Sequence, residues 1–266
     1  MKRLPADWGY FLCLSVLGGS YVALIVAMVV ADLFYTTPGH LLAALAEPKI
    51  QFSITLTLIS CSITAILSLW VAVPMGYLLA RTNFWGKTVL DTILDVPIVL
   101  PPIVLGLSLL ILFKTWPGEW FQDHLFEVRF RAAGVILAQF SVSAAFAVRT
   151  MRITFEQISP RTEQVALTLG CTRSQAFWRV VLPEARRGIL TAGTLAWARS
   201  LGEFGPIMLF AGATPGRTEV MSTTVWLEFN IGNLEAAIAV SLFMIAIAVV
   251  VLMLTRMLGL RGTGLV

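Results

Sequence analysis

Two charged residues, Arg199 and Glu203, lie within an apolar stretch that is long enough to cross a bilayer. A charge at the centre of a membrane costs roughly 2.5–3.5 kcal/mol on insertion scales, so a chain keeps one there only for a purpose. Residues four apart share one face of a helix, and these two can neutralise each other. The pattern indicates either a structural ion pair that locks helices together or a gate on a transport pathway, and the two interpretations are compatible.

The residues beside this pair favour a deformable helix. Gly202, Gly205 and Pro206 lie next to the two charges. Glycine lets a second helix approach closely, and proline removes a backbone hydrogen bond and bends the helix. We therefore expect the helix to be thin and easily kinked at this point.

A polar segment, residues 152–187, forms the second group with functional character. It holds six arginines against three glutamates, a net charge of +3. Gly170 can supply a left-handed turn between two short helices, and Thr172 or Ser174 can cap the second helix. Pro183 is expected to end that helix.

The second of these short helices is amphipathic. Phe177, Val180 and Val181 follow the i, i+3, i+4 spacing of one apolar face, with Arg173 and Arg179 beside it. Such a helix can insert into a groove on a partner protein. It can equally lie on an anionic lipid surface, which also favours arginine opposite aromatic residues.

The composition places both groups in a helical membrane protein. The chain has 266 residues, of which 58% are hydrophobic and 13% charged, with a mean hydropathy of +0.84. A soluble domain of this size needs more charge to cover its surface. Backbone groups in lipid must be paired within the segment, so uninterrupted apolar runs indicate helices and not barrel strands. The prediction is an all-α, polytopic protein with a single transmembrane domain over residues 1–266.

Six membrane-spanning helices can be drawn from the apolar runs. They cover Tyr10–Phe34, Phe52–Ala80, Leu90–Phe113, Ala132–Met151, Gly188–Ala211 and Ala236–Leu258. With the N-terminus inside, 13 of the 19 Lys and Arg residues fall in cytoplasmic segments, including Lys2, Arg3 and Arg261. Five fall outside, namely Lys49, Lys114, Arg129, Arg131 and Arg217, and Arg199 lies within a span. The bias predicts that both termini and the polar segment are cytoplasmic.

The third span contains Pro97, Pro101 and Pro102, each of which removes a backbone donor. We expect a kinked or locally unwound helix, which serves either as a static bend or as a point that flexes during transport. Near its inner end, we expect Asp91 and Asp95 to form ion pairs with a basic residue. The candidates are Arg81, Lys87 and Arg149.

Several other kinds of chemistry lack a motif in this sequence. No GxxxxGK[ST] run is present, so an ATP-driven machine built from this chain needs a separate ATPase. Cys13, Cys61 and Cys171 are scattered, and no His/Cys cluster has metal-ligand spacing. The net charge of +4 is explained by membrane topology, so we expect no nucleic-acid binding and no metal.

The polar segment resembles the cytoplasmic "EAA" loop of ABC-importer permeases. Gly170 is followed by nine residues, Val180, one residue and then Leu182-Pro183. The usual Glu-Ala-Ala before the glycine is Gln164-Val165-Ala166 here, with Glu163 one place earlier, which puts any contact of the family's acidic residue in question.

Two further runs resemble permeases of the molybdate/tungstate and sulfate importer family, particularly its molybdate branch. They are ARSLGEFG, which contains Arg199 and Glu203, and DVPIVLPPIVLGLSLLILF in the third span. The resemblance extends from about Phe52 to Leu258. It implies a type I ABC-importer permease in the cytoplasmic membrane that imports an oxyanion and has no catalytic residue of its own.

The resemblance also implies roles for particular residues. Coupling to the ATPase falls to the loop of about residues 153–187, at Glu163, Ala166, Gly170, Phe177, Val180, Leu182 and Pro183. The pathway or gate falls to Arg199, Gly202, Glu203, Phe204, Gly205, Pro101 and Pro102. The implied partners are two cytoplasmic ATPase subunits, which bind the ATP and Mg, an extracytoplasmic substrate-binding protein, a second copy of this chain and the lipid bilayer.

Other functions predict features that the sequence lacks. An ion-coupled secondary transporter predicts several intramembrane acids and an inverted repeat. A membrane-embedded enzyme predicts a catalytic constellation within the spans. Permeases for iron, thiamine or other small solutes share the general loop pattern, so the loop alone does not choose the substrate.

Overall fold

The computed structural model describes residues 8–124 and 126–260, all of whose regular elements are helices. Lys2, Arg3 and Arg261, which contributed to the predicted topology, lie outside the described residues, as do both ends of the predicted domain. The helices are α1 (Trp8–Tyr35), α2 (Pro38–Ala46), α3 (Pro48–Arg81), α4 (Lys87–Val99), α5 (Pro102–Leu112), α6 (Trp116–His124), α7 (Ala132–Gln157), α8 (Pro160–Thr168), α9 (Arg173–Ala176), α10 (Leu182–Glu184), α11 (Arg186–Leu201), α12 (Met221–Asn230) and α13 (Leu234–Leu260). There are also two π-helices. Phe177–Val181 lies directly before α10, and Ile207–Ala211 follows α11.

The predicted all-α membrane fold is confirmed, but the predicted count of six spans is not. Among the described residues, α1, α3, α7 and α13 are long and apolar enough to cross a membrane. The pair α4 and α5 passes the same test together, with a bend of 112° between them. The remaining predicted span, residues 188–211, is not one continuous helix, because α11 ends at Leu201.

The prolines of the third predicted span unwind it locally, which is one of the two forms that the sequence predicts. α4 accommodates Pro97 and ends at Val99, whereas Leu100 is extended with ψ 142°. A residue before proline is pushed out of the helical region, and two consecutive prolines remove two donors at the same place. Pro101 is therefore extended as well, and α5 begins afresh at Pro102.

The polar segment 152–187 has the predicted turn and cap but a different end. Gly170 has φ 88°, the left-handed conformation expected of it. Thr172 caps α9 and forms a reciprocal capping box with Gln175. The predicted end at Pro183 is one residue too early, because the helical run through α9, the π-helix and α10 continues to Glu184, and Ala185, with ψ −4°, separates it from α11.

Close packing of α3, α7 and α11 forms the centre of the protein. Ala72, Ala147, Ala192 and Ala196 are fully buried in one cluster that extends to the polar segment 152–187. Gly76 touches α7 so closely that an added Cβ would lie 2.7 Å from the Cβ of Met151. Small side chains thus bring the three helices together where the loop begins.

Candidate functional site

The ion pair predicted from spacing is present at the end of α11. Arg199 Nη1 lies 2.5 Å from Glu203 Oε2, and the guanidinium lies over the Phe146 ring at 5.8 Å from its centre. The Glu203 side chain is 1% exposed and that of Arg199 is 26% exposed. Glu203 is therefore shielded by the protein, while Arg199 keeps one side open to its surroundings.

The ion pair spans a break in the helix, as the neighbouring glycines predict. α11 ends at Leu201, and residues 202–204 are not helical before the chain turns into the π-helix Ile207–Ala211. Ser222 Oγ on α12 donates a hydrogen bond of 2.7 Å to the carbonyl of Glu203. The freed backbone at the break is thus paired with a neighbouring element, as burial requires.

A buried polar network supports the other side of the break. The Gln139 amide on α7 donates to the carbonyl of Ser200 at 3.3 Å, and Thr64 on α3 donates to the Gln139 oxygen at 3.1 Å. The hydroxyls of Ser143 and Ser200 lie 2.9 Å apart. Sequence analysis missed Gln139, although a lone amide within an apolar stretch is itself a signal of a polar partner.

The two broken segments of the fold meet at this point. A Cβ added to Gly205 would lie 3.0 Å from the backbone nitrogen of Ile103, in the first turn of α5. A Cβ added to Gly106 would lie 2.6 Å from the Cα of Pro206. Pro102 therefore begins a helix that packs directly on the segment carrying Gly205, which brings these two predicted pathway regions together.

Phe204 lies on the opposite side of the break, in a cleft of about 490 Å³. Its ring is 5.9 Å from that of Trp226 on α12, and Ser222, Phe229 and Ser241 also line the space. Gly202 is exposed and has nothing within 4 Å of an added Cβ. The lining residues carry no charge, so the cleft offers a neutral surface beside the ion pair.

In the polar segment 152–187, Glu163 turns towards its own chain. Tyr77 Oη near the end of α3 donates a hydrogen bond of 2.6 Å to Glu163 Oε1. Arg81 Nε lies 3.5 Å from Glu163 Oε2, and Arg81 Nη2 donates to the carbonyl of Ile158 at 2.8 Å. These contacts hold α8 to the C-terminal end of α3.

The predicted apolar face of the loop is also directed inward. The Phe177 ring lies 4.7 Å from that of Tyr77 and 6.4 Å from that of Phe155, and Val181 is fully buried. The stripe is therefore not free along its whole length for insertion into a partner, because Val181 is enclosed and the half-buried Phe177 ring packs against the protein's own aromatic cluster. Of the other predicted coupling residues, Ala166 is buried, Val180 and Leu182 are half-buried, and Gly170 and Pro183 are exposed.

A different set of apolar side chains faces outward from the loop. Leu169 is 79% exposed and Trp178 63% exposed, and Val165 is exposed beside them in sequence. Arg173 and Arg179 are exposed in the same loop. Val165 and Leu169 are four residues apart, and this i, i+4 spacing is the sequence signal that places them on one face.

Acidic residues of α4 bind arginines in the C-terminal part of α7. Arg149 Nη1 lies 3.1 Å from Asp95 and 3.8 Å from Asp91. Arg152 binds Asp91 and also Glu156. Arg149 was predicted as a partner, whereas Arg152 was not. Because α7 extends to Gln157, beyond its predicted end at Met151, Arg152 lies within the helix.

A second buried charge cluster lies at the start of α3. Lys49 Nζ is 2.8 Å from Glu228 of α12 and 3.6 Å from Glu219, which is 0% exposed. Asn233 donates to the second oxygen of Glu228 at 2.9 Å. One lysine thus serves two buried carboxylates and ties α3 to α12.

Comparison with known proteins agrees with these features. The chain is 33% identical over 210 residues to the sulfate transport system permease protein CysT of Escherichia coli K12, covering 78% of this chain and 76% of that one. It is 33% identical over 219 residues to the molybdenum transport system permease protein ModB of the same organism, covering 81% and 95%.

A solved structure shares the fold. It is a bacterial alginate ABC transporter in complex with an alginate pentasaccharide-bound periplasmic protein, and one of its chains matches with a TM-score of 0.75 at 18% identity. The match covers 97% of this chain and 96% of that one. Residues 72–261 match the family described as the inner membrane component of binding-protein-dependent transport systems. This chain therefore belongs to that family of inner membrane permeases.

Proposed function

We propose that this chain imports a small oxyanion, either sulfate or molybdate/tungstate, as the membrane subunit of an ATP-binding-cassette transporter. The observation that carries the proposal is the similarity to permeases named for sulfate and for molybdenum over most of the chain. The Arg199–Glu203 pair at a helix break supports a pathway role for that region.

The energy source is a separate ATPase that binds the ATP and Mg. The sequence has no GxxxxGK[ST] motif for phosphate binding. The cytoplasmic loop presents Val165, Leu169 and Trp178 to solvent among exposed arginines, a combination suited to a groove on a partner. The ATPase docks on this face, while Phe177 anchors the loop from within.

The permease works as a two-fold homodimer with one ATPase on each copy. Each chain has one loop of this kind, so two ATPase subunits require two copies. Apolar α1 has no buried residue within the described chain, which leaves its surface free for lipid and for a second copy. Mass measurement of the detergent-solubilised complex tests this arrangement, because a complex with one copy and a different permease chain contradicts it.

The proposed orientation places the termini and the loop in the cytoplasm. The Lys49 cluster and α12 then face the other side, where a substrate-binding protein delivers the anion. Glu203 already neutralises Arg199, so the pathway contains no dense cationic pocket of the kind that would retain an anion. Selectivity for the oxyanion accordingly resides in the binding protein.

Stimulation of ATP hydrolysis tests the substrate class. The permease is reconstituted with its ATPase and challenged with binding proteins loaded with sulfate, molybdate, tungstate, ferric iron or thiamine. We expect one of the oxyanion-loaded proteins to stimulate hydrolysis, with the unloaded proteins as controls. Stimulation only by the iron or thiamine protein contradicts the proposed substrate.

A further inference from the structure

Tyr77 connects α3 to both helical parts of the cytoplasmic loop. Its hydroxyl donates to Glu163 of α8 at 2.6 Å, and its ring lies 4.7 Å from Phe177 of the π-helix. The same ring packs edge-on against Phe155 of α7 at 5.5 Å. A single side chain thus joins α3 to α7, α8 and the π-helix.

Little else joins α8 to α3. A cleft of about 610 Å³ opens between them, and its lining includes Pro74, Leu78, Gln164, Leu167 and Arg173 together with Tyr77, Arg81, Glu163 and Phe177. The polar contacts that bridge the cleft are those that Tyr77 and Arg81 make with Glu163. α8 is therefore attached to α3 through a few directional contacts and not by close packing of its length.

The inner end of α3 is locally less constrained than the rest of the helix. Pro74, three residues before Tyr77, removes one backbone hydrogen bond from the helix. Closer to the N-terminus of the same helix, Thr64 donates a hydrogen bond to Gln139. Gln139 in turn donates to the carbonyl of Ser200, beside the ion pair. One continuous helix consequently joins the loop to the break.

We propose that Tyr77, assisted by Arg81, is the positioning residue that holds the coupling loop on α3. Through it, displacement of the loop by the ATPase is transmitted along α3 to the Gln139 network and the broken helix. This inference rests on the proposed function, since it concerns how ATP hydrolysis is coupled to import.

The substitution Tyr77→Phe tests the inference, because it removes the hydroxyl and keeps the ring against Phe155 and Phe177. Tyr35→Phe, at an exposed tyrosine of α1, is the matched control. In proteoliposomes containing the whole complex, we expect Tyr77→Phe to raise the number of ATP molecules hydrolysed per oxyanion imported by about fivefold, the lower end of typical coupling effects. The control keeps the wild-type ratio.

Hydrogen exchange supplies a measurement that does not depend on transport. In the purified complex, amides of α8 should exchange about tenfold faster in Tyr77→Phe, as expected when a hydrogen bond to a charged group is lost. Glu163→Gln is the second variant if Tyr77→Phe assembles poorly, and the double variant should add little to either single effect.

The possible outcomes separate this inference from the proposed function. A wild-type ATP-to-oxyanion ratio in Tyr77→Phe overturns the coupling role, and unchanged exchange in α8 overturns the positioning role, while import by the wild-type complex still supports the proposed function. Absence of ATP-dependent import by the wild-type complex overturns both.

Discussion

Arg199 Nη1 and Glu203 Oε2 lie 2.5 Å apart across the point where α11 ends, so the ion pair bridges the break in the helix. Glu203 is almost completely enclosed, and its carbonyl is held by Ser222. The pair therefore fixes the geometry of the broken segment and also places a partly open guanidinium beside it.

Neutralising one member of this pair should strand the other charge. We expect Arg199→Leu to lower stability by about 3–5 kcal/mol, the typical cost of leaving a buried charge without its partner. Glu203→Leu should cost less, because the Arg199 side chain that it leaves unpaired is 26% exposed. The double variant Arg199→Leu/Glu203→Leu should recover expression and thermal stability, measured by melting of the purified complex.

Transport by the double variant then separates the two roles. A gate or anion-guiding role predicts that the double variant hydrolyses ATP but imports no substrate. Near-normal import of labelled oxyanion by the double variant contradicts that role and leaves a structural ion pair.

Trp178 and Phe177 should respond differently to truncation, because one side chain is exposed and the other packs inside the loop. Trp178→Ala should weaken co-purification of the ATPase without changing the melting temperature of the permease. Phe177→Ala should instead destabilise the loop by about 3 kcal/mol or less, since its ring is only half-buried. Equal loss of ATPase binding with no loss of stability in both variants contradicts this assignment.

Gly170 is required for its left-handed backbone conformation and not for any side-chain contact. With φ at 88°, Gly170→Ala forces a β-carbon into the left-handed region at a cost of about 1–2 kcal/mol. We expect faster proteolysis of the loop and weaker ATPase binding. Gly202→Ala, at a position whose φ is −86° and where an added Cβ meets nothing, is the control for proteolysis. Identical proteolysis of the two variants contradicts the explanation.

Gln139 should be required for the shape of the broken helix. Gln139→Leu leaves the Ser200 carbonyl and the Thr64 hydroxyl without this partner, a loss of about 1–3 kcal/mol for unsatisfied buried groups. Ser141→Ala is the control, because the Ser141 hydroxyl bonds only to Ala138 of its own helix. Thermal melting and oxyanion uptake should both decline in the first variant, whereas equal behaviour of the two variants contradicts the role of the network.

Lys49 should contribute more to folding stability in an alkaline medium than in an acidic one. Lys49→Met leaves Glu219 and Glu228 without their shared cation, at a cost of about 3 kcal/mol or less because Lys49 is itself partly exposed. Burial raises the pKa of Glu219 above its usual value of 4.5, and Lys49 opposes that rise.

The direction of the pH dependence follows from that shift. A carboxyl whose pKa is raised in the folded state stabilises folding below its unfolded pKa, and this contribution is lost as pH rises through the folded pKa. The melting temperature of Lys49→Met should therefore fall further below wild type at about pH 8 than at about pH 5. Adding Glu219→Gln should reduce that difference. An equal deficit at both pH values contradicts the explanation.

Features that depend on local chemistry could be predicted from the sequence. The positive φ of Gly170, the Thr172 cap and the Arg199–Glu203 pair follow from residue type and short spacing. Features that depend on distant neighbours could not. Phe177 faces inward because Tyr77 and Phe155 lie there, at positions 100 and 22 residues earlier in the sequence. Likewise, α4 and α5 diverge by 112°, an angle that the prolines permit but do not specify.

Import of labelled oxyanion into proteoliposomes tests whether this chain is the permease of an ATP-driven oxyanion importer. The permease, its ATPase and its binding protein are reconstituted, and uptake of sulfate, molybdate and tungstate is compared with ATP and with a non-hydrolysable analogue. We expect at least one oxyanion to accumulate, and its accumulation should require both ATP hydrolysis and the binding protein. Uptake driven by an ion gradient without ATP, or ATP-driven uptake confined to iron or thiamine, would contradict it.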